Sequence, residues 1–229
     1  SGFLMADPRI VDDPKPIATV SYKELRELSY MGASVLHEDA IYPARVANIP
    51  INIRNTNRPD DPGTIITSEP GELKEGQIIS GIAGNKNFTV LNMYKNQMSD
   101  MRGFIRRTAA IFEDHGVPIE HMPSGVDTLS VVVANKHLGN ELEDIKDDIM
   151  NQLKPDTLDI GDNVALIATV GHGMSSKVGV AARLFGALAT EKVNIKMIDQ
   201  GSSEMNIIVG VKNDEFEVAI RAIYKAFEN

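Results

Sequence analysis

One pattern of residues occurs twice in the chain, and this repeat limits the possible folds more than any other feature of the sequence. Residues 89–133 match residues 165–209 without a gap, because Gly103 aligns with Gly179, a shift of 76 positions. A period of this length exceeds that of solenoid repeats and indicates a small domain that is present in two copies. We call these two domains copy one and copy two.

Both copies predict the same order of elements. An amphipathic helix follows each aligned glycine, and two strands and a second helix come next; the first of these strands is predicted over VPIEHM (117–122) in copy one. This β-α-β-β-α order is that of a ferredoxin-like unit that lacks its last strand. TLDIGD (157–162) supplies that strand in copy one, and IISGIA (78–83) is the natural donor for copy two. Copy one would then be nested inside copy two, and we expect IISGIA and FTVLNMY to form a hairpin around the turn GNKN.

The first third of the chain shares nothing with the repeat. Ser21 followed by Glu24 is a capping-box pattern, and it predicts a helix that buries Leu25 and Leu28 and ends at Gly32. A second helix with an internal proline, an alternating strand and the β-branched run TIIT follow. The predicted domains are an N-terminal segment (1–67), a linker (68–77), copy one (88–162) and copy two (78–87 plus 163–229).

Composition and charge exclude several classes of function. A formal charge of −9 and a pI near 5.1 argue against a nucleic-acid partner, since such binding depends on clustered Lys and Arg. The absence of cysteine excludes thiol redox chemistry and thiolate metal sites. No apolar run reaches the roughly 20 residues of a membrane span, and no signal peptide is evident at the start. These features favour a cytoplasmic protein with no membrane partner.

No catalytic or metal-binding motif emerges from the residues. Gly171-His172-Gly173 imitates the start of a dinucleotide fingerprint, but the third glycine is replaced by Ser176, so a glycine turn between strand and helix is the better interpretation. The five histidines lack the spacing of zinc ligands, and neither a P-loop nor a G-x-S-x-G motif is present. We therefore predict no catalytic residue and no metal site.

The residues do suggest a binding site between the first strand and first helix of copy one. A glycine and the unpaired amides of a helix N-terminus attract a carboxylate, and Asp100 or Glu120 could accept an ammonium group. An amino acid carries both charges. The alternative is that Ser99 and Asp100 merely cap the helix, and the residues alone favour this alternative.

The sequence resembles the C-terminal part of aspartate kinases, which phosphorylate the β-carboxylate of aspartate in the pathway to lysine, threonine and methionine. The stretches that carry the resemblance include MADPRIV, LSYMGASVLHEDAI, RNTNRPDDPGTIIT and VNIKMIDQGSSEMNI. It implies an α+β fold of two ferredoxin-like βαββαβ ACT domains, the first nested in the second, after a short α/β remnant of the amino-acid-kinase domain. Asp7 and Arg9 would lie near the nucleotide in the full enzyme.

The resemblance also implies what this chain does and does not do. The phosphate-handling motif of the family is absent, so we expect no kinase activity and no cofactor here, whereas the full enzyme uses ATP and Mg²⁺. The expected role is allosteric feedback inhibition by lysine, which two nearby acidic groups favour, or by threonine, in a homodimer joined through ACT domains. The alternative is a stand-alone ACT-type module, for amino-acid binding or dimerisation, without a kinase role.

Effector-binding residues are carried over from the family onto matching positions. Asp199 stands where we expect a serine, and Pro118 where we expect an asparagine, so the identity of the effector stays open between lysine and threonine. The resulting set is Ser99, Asp100, Gly103, Phe104, Ile105, Ile119, Glu120 and Ser124 in copy one, and Asn194, Ile195 and Asp199 in copy two.

Overall fold

A computed structural model describes residues 2–32, 38–69, 71 and 77–228, without the side chains of residues 38–40. The chain divides into two compact units: unit one comprises Ser1–Asn85 and Leu166–Asn229, and unit two comprises Lys86–Ala165. Unit two thus interrupts unit one in the sequence. The α+β class is confirmed, with copy one nested in copy two along the chain, while the domain limits given above stay a prediction.

The N-terminal part of unit one has a three-stranded sheet and two helices. The strands β1 (Thr19–Ser21) and β3 (Thr64–Thr67) are parallel, and β2 (Ile51–Ile53) pairs antiparallel with β3. Helix α1 (Tyr22–Tyr30) begins with the predicted capping box, and α2 (Glu38–Val46) contains the proline. The predicted face of α1 is buried. Most of the predicted linker, Pro70 and residues 72–76, lies outside the described residues.

The rest of the chain contains the repeated elements. Their order is β4 (Gly81–Tyr94), α3 (Phe104–Asp114), β5 (Thr128–Ala134), α4 (Asn135–Leu138), α5 (Leu142–Asp148), β6 (Thr157–Val170), α6 (Val180–Thr190), β7 (Met197–Asp199), β8 (Asn206–Lys212) and α7 (Phe216–Phe227). A π-helical turn, Ile149–Leu153, follows α5. Strands β4 and β6 each belong partly to unit one and partly to unit two, because the unit boundaries fall within them. The strand order is β5-β4-β6 in unit two and β4-β6-β8-β7 in unit one.

The predicted hairpin around GNKN is wrong, because β4 runs through this turn as one strand of 14 residues. Asn87 has a φ of 68°, a left-handed conformation that asparagine adopts more readily than most residues. The irregularity is therefore accommodated within the strand, as at a β-bulge. Asn163, its equivalent by the shift of 76, has a φ of 62° within β6, so both long strands contain a left-handed asparagine at the same position of the repeat.

The strand predicted over VPIEHM is also wrong as a continuous strand. This segment makes isolated bridges from His121 to Val132 and, just beyond it, from Ser124 to Leu129. Pro118 has no N–H to contribute to a ladder, so it cannot donate to a neighbouring strand. The equivalent segment of copy two forms the short strand β7, which pairs antiparallel with β8.

The core of unit two lies between its sheet and its helices. Phe104, Thr108, Ile111 and Phe112 of α3 are buried, which confirms the predicted apolar face of this helix. Phe104, Ile111 and Phe112 pack in a cluster with Leu91 and other residues of β4, β5, α5 and the π-helical turn.

A histidine joins α3 to α5 beside this core. Nδ1 of His115 lies 2.9 Å from Oε2 of Glu141, and Nε2 lies 2.9 Å from Oδ2 of Asp148. These contacts raise the pKa of His115 and lower that of Asp148, because each partner favours the charged form of the other. The charged ring thus stabilises the packing of α3 against α5.

Candidate functional site

The loop between β4 and α3 carries the first part of the predicted site. Residues Met98–Asp100 form a single 3-10 turn, and Gln97 before it has a left-handed φ of 61°. Gly103 has a φ of 76° and directly precedes α3, and its equivalent Gly179 has a φ of 89° before α6. A left-handed residue at this position suits glycine, so both copies begin their first helix in the same way.

Exposure divides the predicted residues of this loop into two groups. Ser99, Asp100 and Gly103 are exposed, and Ile105 is 53% exposed, so these residues face solvent. Phe104 is 2% exposed and belongs to the core beneath the loop. Its role is therefore to fix the start of α3, while its neighbours are available to a ligand.

The capping alternative for Ser99 and Asp100 is wrong. The N-cap of α3 is Gly103, and no side chain supplies a capping hydrogen bond to this helix in the described structure. The 3-10 turn that contains Ser99 and Asp100 likewise has no side-chain cap. The polar groups of these two residues are thus not committed to closing a helix end.

The segment after α3 carries the second part of the site. Ile119 and Glu120 are half-buried, and Ser124 is exposed. The Glu120 amide donates to the carbonyl of Val132 at 2.9 Å, which fixes the segment to the edge of β5. Ile119 packs against the same core cluster as Phe104, so unit two holds both parts of the copy-one set around one core.

Two aspartates that the sequence analysis missed hold the loop in place. The Met98 amide donates to Oδ1 of Asp127 at 3.2 Å, and the Asn96 amide donates to Oδ2 of Asp156 at 2.7 Å. Lys95 donates from Nζ to the carbonyl of Lys154 at 2.8 Å. The contacts come from two other parts of unit two and leave the loop little freedom to shift alone.

The copy-two residues of the predicted set lie in unit one. Asn194 is exposed, and Ile195 and Asp199 are half-buried, with Asp199 at the end of β7. Where copy one has Asp100 and Glu120, copy two has Ser176 and Lys196, so the acidic pair is specific to copy one.

In the pair predicted to lie near a nucleotide, Arg9 is exposed, Asp7 is half-buried, and the two side chains bind each other. Asp7 accepts hydrogen bonds from the backbone amide of Arg9 at 2.9 Å and from its Nη2 at 2.6 Å. The side-chain hydrogen bond from Arg9 holds the pKa of Asp7 below its usual range. The guanidinium is thus oriented by its own neighbour, and its proximity to a nucleotide stays a prediction.

Among the residues that the structure describes, no group of three or more histidine, aspartate or glutamate side chains could hold a metal ion. None of the helices in the same residues has the length and apolar character needed to cross a membrane.

Comparison with known proteins places these observations in a family. Residues 167–227 match the ACT domain, and residues 1–55 match the amino acid kinase family. Aspartokinase 3 of Bacillus subtilis is 38% identical over 222 residues, which cover 96% of this chain and 48% of that protein. The chain spans about half the length of this relative, and 28% of the bifunctional aspartokinase/homoserine dehydrogenase of Haemophilus influenzae, which is 31% identical over 242 residues that cover 100% of this chain.

Solved structures give the same result. The aspartate kinase of Clostridium acetobutylicum, described as an allosteric enzyme, is 54% identical with a TM-score of 0.94, covering 99% of this chain and 52% of that one. Aspartokinase III of E. coli in complex with lysine and aspartate has the same fold, with 22% identity, a TM-score of 0.78 and coverage of 100% and 50%. The resemblance seen in the sequence is thus confirmed, and the chain is a relative of the C-terminal regulatory region of aspartate kinases, with the tail of an amino acid kinase domain followed by tandem ACT domains.

Proposed function

We propose that this chain is the part of an aspartate kinase that binds an end-product amino acid, lysine rather than threonine, and transmits feedback inhibition. The observation that carries the proposal is the loop of copy one. Its Ser99 and Asp100 are exposed and cap no helix, yet the loop is fixed by Asp127 and Asp156. A rigid loop whose polar groups are not used to hold the fold is better explained by ligand binding than by a structural role.

The chemistry of the loop matches an amino acid. The start of α3 presents backbone amides and the positive end of the helix dipole to an α-carboxylate. Asp100 and Glu120 supply two carboxylates, and lysine supplies two ammonium groups. Threonine, with one ammonium, could bind only one of the two acids in this way. The lysine complex of the related E. coli enzyme supports the same choice.

The regulatory consequence follows from linkage. An effector that binds one arrangement of the ACT domains more tightly shifts the attached kinase towards that arrangement. The full enzyme would phosphorylate aspartate with ATP and Mg²⁺, and this chain alone would not. We further propose a cytoplasmic homodimer joined through its ACT domains; a monomeric mass by light scattering at micromolar concentration would contradict the dimer.

Calorimetric titration of the chain with lysine, threonine, methionine and S-adenosylmethionine tests the proposal. We expect lysine to bind and ATP to give no heat. Asp100→Asn and Glu120→Gln should each weaken lysine binding by roughly 10- to 100-fold, the value of one hydrogen bond to a charged group. Asp114→Asn removes an acid at the far end of α3 and serves as the matched control, with unchanged affinity. If none of the amino acids binds, the proposed function is wrong.

A further inference from the structure

Helix α1 places a carboxylate in the interior of unit one. The side chain of Glu24 is 0% exposed, and Oε2 accepts hydrogen bonds from the amide of Ser21 at 2.9 Å and from its hydroxyl at 2.6 Å. Oε1 accepts from the Ser80 hydroxyl at 2.6 Å and from the His172 amide at 3.0 Å, and Nδ1 of His172 lies 2.8 Å from it. The two oxygens thus serve different parts of the unit.

This carboxylate is charged although it is buried. Burial alone would raise the pKa of Glu24, but the hydrogen bonds from Ser21, Ser80 and His172 outweigh it and lower the pKa to about 2. A capping box needs only the contacts with Ser21. The contacts of Oε1 with Ser80 and His172 therefore call for an explanation beyond the start of a helix.

A comparison of the two copies supplies that explanation. His172 is the equivalent of Asn96 by the shift of 76, and the backbone amide of each donates to a carboxylate. In copy one the acceptor is Asp156, which follows the second helix of the same copy. In copy two the acceptor is Glu24, which belongs to the segment that matches the amino acid kinase family. The same loop is therefore held by its own domain in one copy and by the kinase-related helix in the other.

We infer that Glu24 is a coupling residue that ties the strand–helix loop of copy two, residues 171–177, to helix α1. Moving the loop without α1 would leave a buried carboxylate with unmatched hydrogen-bonding capacity, which is costly in a protein interior. The loop and the helix are thus expected to move as one body. The regulatory meaning of this coupling rests on the proposed function, but the coupling itself does not.

Hydrogen exchange followed by mass spectrometry on the intact chain tests the coupling without any ligand. Glu24→Gln keeps the shape of the side chain but replaces one acceptor oxygen by an NH₂ group. This NH₂ group must face hydrogen-bond donors, either those of Ser21 or those of Ser80 and His172. We expect amide exchange to rise at least about tenfold both in residues 22–30 and in residues 171–177. Asp156→Asn is the matched control, and it should accelerate exchange in the copy-one loop while leaving α1 unchanged.

Two variants separate coupling from simple loss of structure. His172→Asn removes the ring contact but keeps the backbone bond to Oε1, so exchange in α1 should rise by less than in Glu24→Gln. The amides of β5 in unit two should remain protected in all variants. If Glu24→Gln accelerates exchange in residues 22–30 alone, the residue is a helix cap and the inference is wrong.

Lysine provides the functional arm of the experiment. Calorimetry should give the same lysine affinity for the wild-type chain and Glu24→Gln within about twofold, whereas a lysine-induced change of exchange in α1 should be lost in the variant. An equal change in both proteins would overturn the inference. If lysine and threonine do not bind the wild-type chain, the proposed function fails, and the ligand-free measurements still decide the coupling.

Discussion

Replacement of Gly171 by alanine tests how closely the copy-two loop is packed. A Cβ atom at this position would lie 2.5 Å from Cα of Ile79, 2.8 Å from the carbonyl oxygen of Ile78 and 2.8 Å from the amide nitrogen of Ser80. All three neighbours are backbone atoms, so no side-chain rotation can relieve the contact. The φ of Gly171 is 171°, an extended value open to any residue, so close approach alone explains the glycine.

The size of the effect follows from these contacts. Overpacking of a well-packed interior typically costs about 1–3 kcal/mol. The backbone of residues 78–80 is also held by the hydrogen bond from the Ser80 amide to the Val170 carbonyl, which is 2.7 Å long. We therefore expect Gly171→Ala to lower the free energy of unfolding by about 3 kcal/mol, the upper end of that range.

Gly186 offers the same chemical change in a different setting. It lies within α6 and is exposed, and a Cβ there would meet no atom within 4 Å beyond the neighbouring backbone of its own helix. Alanine is preferred over glycine in a helix interior by roughly 1 kcal/mol, so Gly186→Ala should stabilise the chain by that amount. The two variants should thus differ by about 4 kcal/mol although each adds one methyl group.

Urea denaturation monitored by far-ultraviolet circular dichroism measures both variants. Since both changes lie in unit one, hydrogen exchange in residues 166–228 should report the same order of stabilities. A free energy of unfolding for Gly171→Ala within about 0.5 kcal/mol of the wild-type value would refute the reasoning. It would mean that residues 78–80 can move away from β6 at little cost, and that Ser80 does not hold Glu24 firmly.

Three further predictions concern stability. His115→Asn should destabilise the chain more at pH 5.5 than at pH 9 in urea titrations. The pKa of His115 is raised in the folded state, so its contribution to the free energy of unfolding is complete below the unfolded pKa of about 6.5 and is lost as pH rises through the folded pKa. Ser21→Ala removes the capping hydroxyl and should cost about 1–2 kcal/mol by thermal denaturation, whereas Ser21→Thr should retain most of the stability. Phe112→Ala should cost about 3–5 kcal/mol by urea denaturation, against at most about 0.5 kcal/mol for the exposed Ile105→Ala.

Features that depend on neighbours in the sequence could be predicted. The capping box of Ser21, the apolar face of α3 and the alignment of the two helix starts at Gly103 all follow from local spacing, and the structure confirms them. The hairpin failed because a turn-like sequence with Asn87 can also be a bulge inside a strand, and local residues do not distinguish the two. The strand over VPIEHM failed because an alternating pattern indicates which residues face the core but not how far the segment pairs with its neighbour, which here is limited to isolated bridges.

The residues that hold the loops could not be predicted, because their partners are distant in the sequence. Asp127 accepts a hydrogen bond from an amide 29 positions away, and Asp156 from an amide 60 positions away. Glu24 accepts one from His172, which is 148 positions away. No local pattern marks an acid as the acceptor for a remote amide. The repeat identifies Asn96 and His172 as equivalent positions, but it does not identify the acid to which each amide donates.

The origin of these acids bears on why the domain occurs twice. A single ACT copy could bind an effector, but its loop would be held within its own unit, as Asp156 holds the loop of copy one. A second copy supplies an equivalent loop whose amide can donate to a different acid, and here that acid is Glu24 of the kinase-related helix. Duplication thus allows one loop to keep the proposed ligand-binding groups Ser99 and Asp100 while the other is tied to α1. A mutation that weakens the contact between this loop and α1 should therefore spare ligand binding, whereas one in the acidic pair of copy one should weaken binding by roughly 10- to 100-fold and leave that contact intact.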